Sequence, residues 1–284
     1  MKKLIVNADD FGLHEEINKG IIKGHREGFI TSTSLMCTAP AFSQAVALAK
    51  ESPALGIGIH LTLVGSVPSC RRPQSLGALV DGQGLFLPNY VAFAKAYYGG
   101  AIKKEALKDE LRGQLELALG TGLKITHVDS HQHTHVLPGV ASLVLDLCQE
   151  YGLKKIRRPQ EPVFFTGGFQ AGVGRLIGRT GLSFCSCLAA TKAKAQGLLM
   201  PDHFFGMLAG GNLNPQRVAA ILQALPEGTS ELMTHPGLNN QLLSQSFTWQ
   251  YHWQEELAAY LDKKNQQVLK EQKIELINFG DLNE

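Results

Sequence analysis

The stretch Leu-Ile-Val-Asn-Ala-Asp-Asp-Phe-Gly, residues 4–12, carries the strongest fold signal in the sequence. Its first half, Leu4–Ala8, is a short apolar run that predicts a buried strand, and Asp9 and Asp10 end that strand. Apolar residues then recur at helical spacing over His14–Glu27. The stretch therefore predicts a strand–helix unit with two adjacent carboxylates at the turn between the two elements.

The same alternation of apolar runs and helical patterns continues along the 284 residues. Further strands are predicted at Phe29–Met36, Leu55–Leu63, Leu123–Asp129, Leu153–Arg157, Leu182–Cys187, Ser230–Thr234 and Ile274–Phe279. Alternating strands and helices imply an α/β fold with a parallel sheet and helices outside it. At this length we expect one domain, residues 1–284, in which about seven or eight strands close into a (β/α) barrel; an open doubly wound sheet is the alternative.

The segment at about 65–100 interrupts this alternation. It contains several prolines and an Asp81-Gly82 turn signal. We interpret it as an insertion that covers the active-site end of the fold, because it follows the third predicted strand. Its aromatic residues either pack the insertion onto the barrel or form a partly apolar mouth for a ligand.

Composition excludes several classes of protein. The net charge of +2 and the absence of dense Lys or Arg runs argue against nucleic-acid binding. No apolar stretch approaches the ~20 residues of a membrane span, and the first apolar run is too short for a signal peptide. The five scattered cysteines fit a reducing compartment. We therefore expect a cytoplasmic protein without a membrane span; peripheral membrane contact and homo-oligomerisation stay open.

Polar residues collect where the predicted strands end. They are Asp9, Asp10, His60, Asp129, His131, Arg157 and His235. Because the carboxyl ends of parallel strands meet at one edge of a sheet or barrel, we expect these side chains to share one site.

Simpler interpretations exist for each feature taken alone. The Asp9-Asp10 pair could cap a helix, and His60 or His235 could be a hydrogen-bonded loop residue. The segment His127–His135 holds four of the ten histidines and could be a solvated loop. The coincidence of all these residues at strand ends favours a functional site.

Carboxylates and imidazoles in this arrangement are typical of a metal site. One carboxylate and two imidazoles can hold a divalent ion and leave positions open for water and substrate. A further carboxylate could accept the proton of the water, and a separate histidine could protonate a leaving amine. Neighbouring strand residues point in opposite directions, so Asp9 and Asp10 are expected to see different environments.

At these residues the chain resembles the YdjC-like family of carbohydrate deacetylases, which includes chito-oligosaccharide deacetylases. The matching stretches are residues 4–12, Gly-Ile-His-Leu at 58–61, His-Val-Asp-Ser-His at 127–131, His-Pro-Gly at 235–237 and Leu-Ile-Asn-Phe-Gly-Asp-Leu at 276–282. Within the family the chain is similar to the hopanoid-biosynthesis-associated branch, through residues 34–40, 157–162 and 202–206. Asp129 departs from that branch, which usually has Asn there, so the substrate branch stays open.

The resemblance implies a distorted (β/α) barrel related to the polysaccharide deacetylases. It also implies site roles: Asp10, His60 and His131 as ligands of one divalent metal ion, Zn²⁺ or Mg²⁺, with Mn²⁺, Fe²⁺ or Co²⁺ as alternatives. Asp9 then corresponds to the catalytic base, His235 to the general acid, and Arg157 to the residue that orients the base.

The function expected from the sequence is hydrolysis of an N-acetyl amide on a sugar, in an N-acetylglucosamine-containing oligosaccharide or glycolipid, giving acetate and a free amine. Two rivals remain: a metal-dependent phosphohydrolase and a glycan- or lipid-binding protein without turnover. An intact base and acid favour the enzyme, because a binding protein needs neither.

Overall fold

The apolar runs form one parallel sheet in the computed structural model, which describes residues 1–283. Its strands are β1 (Lys2–Phe11), β2 (Ser32–Leu35), β3 (Gly56–Leu61), β4 (Ile125–Ser130), β5 (His203–Phe205), β6 (Gly228–Thr234) and β7 (Glu275–Leu276). Their order is β4-β3-β2-β1-β6-β5, with β7 pairing alongside β1. Every pairing between these strands is parallel, as the alternating pattern predicted.

Helices occupy most of the connections between strands. They are α1 (Glu15–Glu27), α2 (Phe42–Lys50), α3 (Pro73–Leu76), α4 (Tyr90–Tyr98), α5 (Lys104–Leu119), α6 (Val140–Glu150), α7 (Val173–Ala195), α8 (Pro215–Ala224), α9 (Asn240–Ser246), α10 (Trp253–Leu261) and α11 (Lys263–Glu271). Short 3₁₀ turns cover Gly77–Leu79, His131–Val136 and Phe279–Asp281. None of the helices in the described part of the chain is long and apolar enough to cross a membrane.

The sheet curls into a half-barrel. Beyond β4 the curl continues through two isolated parallel bridges, Val128 with Ile156 and Lys155 with Leu199. The chain around Leu199 leads directly into β5, which pairs with β6. The expected distorted barrel is therefore confirmed, although bridges rather than full strands complete this side. The predicted strand at Leu153–Arg157 corresponds to one of these bridge segments.

The strand predicted at Leu182–Cys187 is wrong, because these residues lie within α7. The buried residues of this helix include Leu182, Ser183 and Ser186, which recur at helical spacing and face the core together. Burial of one helix face therefore overrides the alternating pattern of this short run. Conversely β5 was not predicted, since three residues are too few to show an alternation.

The segment at 65–100 packs largely onto the core. Leu79, Phe86 and Phe93 are fully buried, which supports the packing interpretation of its apolar residues. The amide of Tyr90 donates to Oε1 of Gln132, which follows β4, so this segment is tied to the carboxyl end of the sheet. Tyr98 is the exposed aromatic residue of this segment, with 56% exposure, and its hydroxyl donates to the Pro138 carbonyl.

Helix α1 positions the loop after β6 through a glycine contact. Gly20 lies so close to Gly237 that a Cβ at position 20 would be 2.4 Å from the Gly237 Cα. The amide of Leu238 also donates to the Glu16 carbonyl at 3.0 Å. The loop that carries His235 is therefore held at a fixed distance from the sheet by backbone contacts.

We expect Gly20→Ala to lower the free energy of unfolding by ~1–3 kcal/mol, because the new methyl group meets backbone that cannot move aside. The matched control is Gly181→Ala in α7, where a Cβ meets nothing within 4 Å. This control should gain up to ~1 kcal/mol from helix propensity. Denaturant titration of both variants measures the effect, and a Gly20→Ala variant as stable as the parent chain would contradict the contact.

Candidate active site

The end of β1 turns both of its carboxylates toward one site. Between Ala8 and Phe11 the strand gains one residue relative to β2, and Asp10 takes a left-handed conformation with φ of 68°. His60 Nε2 consequently lies 3.5 Å from Asp10 Oδ1 and 4.0 Å from Asp9 Oδ2. The expectation that the two side chains point in opposite directions was wrong, because a bulge interrupts the strand alternation at this position. Their other partners still differ, since Asp9 pairs with Arg157 and Asp10 with His131.

The carboxylate of Asp129 orients the ring of His60. On β3, its Nδ1 lies 2.8 Å from Asp129 Oδ1 on β4, which directs Nε2 toward the two β1 carboxylates. His131 begins the 3₁₀ turn after β4, and its Nδ1 lies 2.9 Å from Asp10 Oδ1. All of these groups are buried, His131 with 6% exposure being the most accessible. The strand ends thus bring the predicted residues together.

This donor set fits a metal ion. Ligand atoms of Asp10, His60 and His131 lie within 4.8 Å of one another, and a second such group is formed by Asp9, His60 and Asp129. Within residues 1–283, Asp10 Oδ2 and His60 Nε2 are buried without a hydrogen-bond partner. Buried polar atoms without partners are costly, so their convergence favours a ligand between them.

Other histidines of the segment 127–135 have structural positions. The ring of His127 stacks on Phe279 with centroids 3.7 Å apart, and burial lowers its pKa to about 3. His135 contacts the Ser130 hydroxyl and the Arg157 carbonyl, and burial lowers its pKa to about 4. These rings are neutral core groups. His131 is the histidine of this segment whose ring joins Asp10 and His60 in the possible metal site.

Arg157 is a buried cation surrounded by three carboxylates. Its Nη1 and Nη2 donate to the two oxygens of Asp9 at 2.7 and 2.6 Å. Nη1 also lies 2.7 Å from Asp129 Oδ2, and Nε donates to Glu231 Oε1 at 2.8 Å. The guanidinium thus links the ends or interiors of β1, β4 and β6.

The charges in this cluster are strongly coupled. Burial raises the pKa of Glu231 to about 8, against the opposing effect of Arg157. Burial would lower the pKa of His60, but Asp129, Asp9 and Asp10 raise it to about 10. The carboxylates of Asp9, Asp10 and Asp129 surround His60, and negative charge concentrated in this way would also attract a metal cation.

His235 follows β6 and faces a cavity of about 300 Å³ that Asp9 and His131 also line. Its backbone amide donates to Glu256 Oε2 at 2.6 Å, and the same oxygen lies 3.9 Å from its Nδ1. Nδ1 is buried and has no hydrogen-bond partner among the described residues. The structure therefore places His235 beside the cluster but not within it.

Several residues of the site escaped sequence reasoning. Glu231 lies in the middle of a strand, where the sequence gives no sign of function. Tyr251 packs 4.9 Å from His235 and Trp249 packs 5.4 Å from His131, both measured between ring centroids. The alternation of Phe247, Trp249, Tyr251 and Trp253 along the sequence was the available signal for an aromatic wall.

We expect Glu231→Gln to remove a pH dependence of stability. The folded Glu231 keeps its proton to about pH 8, whereas its ordinary pKa is 4.5, so wild-type stability falls as the pH rises between these values. Gln cannot ionise, and its oxygen can still accept from Arg157. The stability of the variant relative to wild type should therefore increase from about pH 5 to about pH 8.5 in denaturant titrations.

The matched control for this experiment is Glu255→Gln, an exposed position on α10, which should follow the wild-type pH profile. A constant difference between Glu231→Gln and wild type across the pH range would show that Glu231 is already ionised.

Comparison with known proteins extends over nearly the whole chain. A protein from Brevibacillus brevis named carbohydrate deacetylase is 33% identical over 99% of both chains. A Clostridium beijerinckii protein of the same name is 32% identical over 99% of this chain and 100% of its own.

A crystal structure from Enterococcus faecalis V583, described as a candidate cellobiose-phosphate cleavage protein, covers 98% of this chain and 97% of its own with a TM-score of 0.78. At 23% identity this likeness shows the fold alone. The family described as YdjC-like protein matches residues 3–271. The chain therefore belongs to the YdjC-like family.

Proposed function

We propose that the protein is a metal-dependent carbohydrate deacetylase. It hydrolyses the N-acetyl amide of a sugar, in an N-acetylglucosamine-containing oligosaccharide or glycolipid, to acetate and a free amine. The convergence of the unpaired Asp10 and His60 ligand atoms beside His131, under a cavity that also holds Asp9 and His235, carries this proposal. The full-length relatives named carbohydrate deacetylase support the same reaction class.

Asp10, His60 and His131 would hold the ion. His60 and His131 each turn one ring nitrogen toward Asp10, while Asp129 holds the other nitrogen of His60. The alternative group with Asp9 and Asp129 is less suitable, because Arg157 already neutralises both of its carboxylates. One carboxylate and two imidazoles suit Zn²⁺, Mn²⁺, Fe²⁺ or Co²⁺, with Mg²⁺ as a further candidate. Such an ion polarises a carbonyl and lowers the pKa of a bound water.

Asp9 is positioned to accept the proton of the attacking water. It lines the cavity, and Arg157 and Asn7 fix both of its oxygens. Arg157 also pairs with Asp129 and Glu231. It therefore orients Asp9, but its positive charge is divided among three carboxyl groups. Orientation of this kind is what a general base requires, because the proton must be taken within hydrogen-bond distance.

His235 is positioned to donate a proton to the departing nitrogen. Its ring lines the cavity, while Glu256 accepts a hydrogen bond from its backbone amide. Glu256 anchors this residue through its backbone, so the ring stays at the wall of the cavity, where a general acid must lie. Asp9 and His235 thereby divide the acid and base roles between separate strand ends.

A phosphate ester fits this cavity less well. The cluster beneath it contains Asp9, Asp10 and Asp129 against one buried arginine, so a dianionic phosphate would meet like charge. Arg175 and Arg179 also line the cavity, but both guanidinium groups donate to backbone carbonyls. Arg175 donates to Gly210, and Arg179 donates to Val163 and Phe165. Acetate release from a panel of N-acetylated sugars, beside phosphate release from sugar phosphates, separates the two enzymes. Release of neither product, with binding retained, would favour a glycan-binding protein.

The substrate class is tested in the same assay by comparing kcat/KM for an N-acetylglucosaminyl lipid and a soluble chito-oligosaccharide. If the substrate is lipid-linked, we expect kcat/KM to be higher for the N-acetylglucosaminyl lipid. Equal or higher values for the soluble sugar leave the deacetylase proposal intact and remove the lipid.

We expect Asp9→Asn and Asp10→Asn to fail in different ways. Asp9→Asn should retain the metal but lose ~10²–10⁴-fold in kcat, because an amide cannot accept the water proton. Asp10→Asn should weaken metal binding, since a charged ligand is replaced by a neutral one. Metal content after dialysis and acetate release, measured on the same samples, give both readings.

The control variant is Asp146→Asn, an exposed carboxylate on α6, which should match wild type in both measurements. If Asp9→Asn lost the metal and Asp10→Asn kept it fully, Asp9 would be the metal ligand and Asp10 the catalytic base.

A further inference from the structure

Helix α7 is apolar on the side that faces solvent. Val173, Ile177, Phe184 and Leu188 recur at helical spacing and lie on one face of the helix. Their exposures are 72%, 68%, 65% and 49%. Leu182, in contrast, is buried on the opposite face. A surface helix normally turns charged or polar residues toward solvent, so this exposed apolar stripe indicates a face that contacts something other than water.

Helix α4 extends the same surface. It lies beside α7, because a Cβ at Gly178 would be 2.8 Å from the hydroxyl oxygen of Tyr90. Val91, Lys95 and Tyr98 share the solvent face of α4, and Val91 and Tyr98 are 61% and 56% exposed. The exposed apolar residues of the two helices are named the apolar surface: Val91, Tyr98, Val173, Ile177, Phe184 and Leu188.

A cavity of about 370 Å³ lies at the edge of the apolar surface. Pro138, Cys185 and Leu188 contribute to its largely apolar lining, and Lys192 is the charged residue among the described groups that line it. The Tyr98 hydroxyl donates to the Pro138 carbonyl, so the cavity also adjoins α4. An apolar cavity beside an exposed lysine is suited to an acyl chain that carries an anionic headgroup.

The charge of these two segments has one sign. Residues 82–104 and 162–201 contain seven Lys and Arg residues, and all 25 Asp and Glu residues lie elsewhere in the chain. Their exposed basic residues are Lys95, Lys103, Lys104, Lys192 and Lys194. Exposed apolar groups together with basic residues, without acidic residues among them, complement the anionic surface of a lipid bilayer.

A second copy of the chain would complement the apolar surface less well. A two-fold axis through this surface would bring the same lysines of both copies toward one another. Neither segment offers a carboxylate to pair with them, and like charges at an interface oppose association. Lipid phosphates supply the missing negative charge.

We propose that the apolar surface docks the protein onto an anionic lipid bilayer. Ile177 and Phe184 enter the boundary between headgroups and acyl chains, while Lys95 and Lys192 contact lipid phosphates. Leu182 of the same helix lines the catalytic cavity, so docking brings that cavity close to the headgroups. This inference goes beyond the proposed function and does not depend on it, because docking requires no turnover.

Vesicle binding by the full-length chain tests the docking. The probes are vesicles of phosphatidylcholine alone and vesicles that also contain phosphatidylglycerol, and co-sedimentation gives the partition coefficient. The chain should prefer the anionic vesicles, and added salt should weaken this preference. The double variant Ile177→Gln with Phe184→Gln should lower the partition coefficient at least about tenfold, because two apolar groups no longer leave water. Lys95→Gln and Lys192→Gln should each lower it about fivefold on anionic vesicles only.

The matched control is Leu117→Gln, on α5 outside the apolar surface, where the leucine is 42% exposed. Its partition coefficient should equal that of wild type. All substituted positions are exposed, so the variants should fold normally, and thermal unfolding checks this. A second readout uses Phe184→Trp beside Leu117→Trp. Brominated lipids should quench the added indole at position 184 and leave the one at position 117 unquenched.

Equal binding to both kinds of vesicle, binding to neither, or full binding by the Ile177→Gln and Phe184→Gln double variant overturns the docking. A lipid-free dimer in sedimentation velocity that this double variant converts to a monomer also overturns it, in favour of a second copy. Acetate release by the unsubstituted chain separates this inference from the proposed function. Vesicle binding without acetate release rejects only the deacetylase, whereas release without vesicle binding rejects only the docking.

Discussion

The buried Arg157 guanidinium is the interaction on which the site depends. An unpaired charge in the interior costs several kcal/mol, so this cation requires carboxylates that approach it closely. Asp9 from β1, Asp129 from β4 and Glu231 from β6 meet that requirement, and strands from both sides of the sheet are thereby drawn to one point. Asp129 in turn orients the ring of His60 through its contact with Nδ1.

The same interaction leaves the cluster unequally charged. Arg157 pairs closely with Asp9 and Asp129, and Asp10 lies outside its reach among histidines. Burial raises the pKa of Glu231 to about 8, so a proton reduces the excess of negative charge at this position near neutral pH. Negative charge therefore remains concentrated at Asp10, next to the unpaired nitrogen of His60. The cluster therefore has two parts. Asp9 and Asp129 are neutralised by Arg157, whereas Asp10 keeps a negative charge that suits a cation.

The sequence was sufficient for the parallel α/β fold and for the set of polar strand ends. This worked because parallel strands carry their last residues to one edge, whatever the exact geometry of the connections. It failed where local geometry departs from regular rules: the bulge at Ala8–Phe11 sends Asp9 and Asp10 to one side, and α7 replaces a predicted strand. Glu231 could not be found, because a charged residue within a strand normally faces solvent.

The left-handed backbone at Asp10 restricts which residue types can occupy position 10. Among residues other than glycine, Asp and Asn adopt this conformation most readily. Asn and Gly lack a carboxylate, while Glu supplies one but carries a longer side chain and less tolerance of the backbone. Aspartate alone combines a short carboxylate side chain with tolerance of the left-handed backbone. No conservative substitution at position 10 therefore preserves both properties. Under the proposed function, a substitution at position 10 therefore marks family members that have lost this metal ligand while keeping the fold.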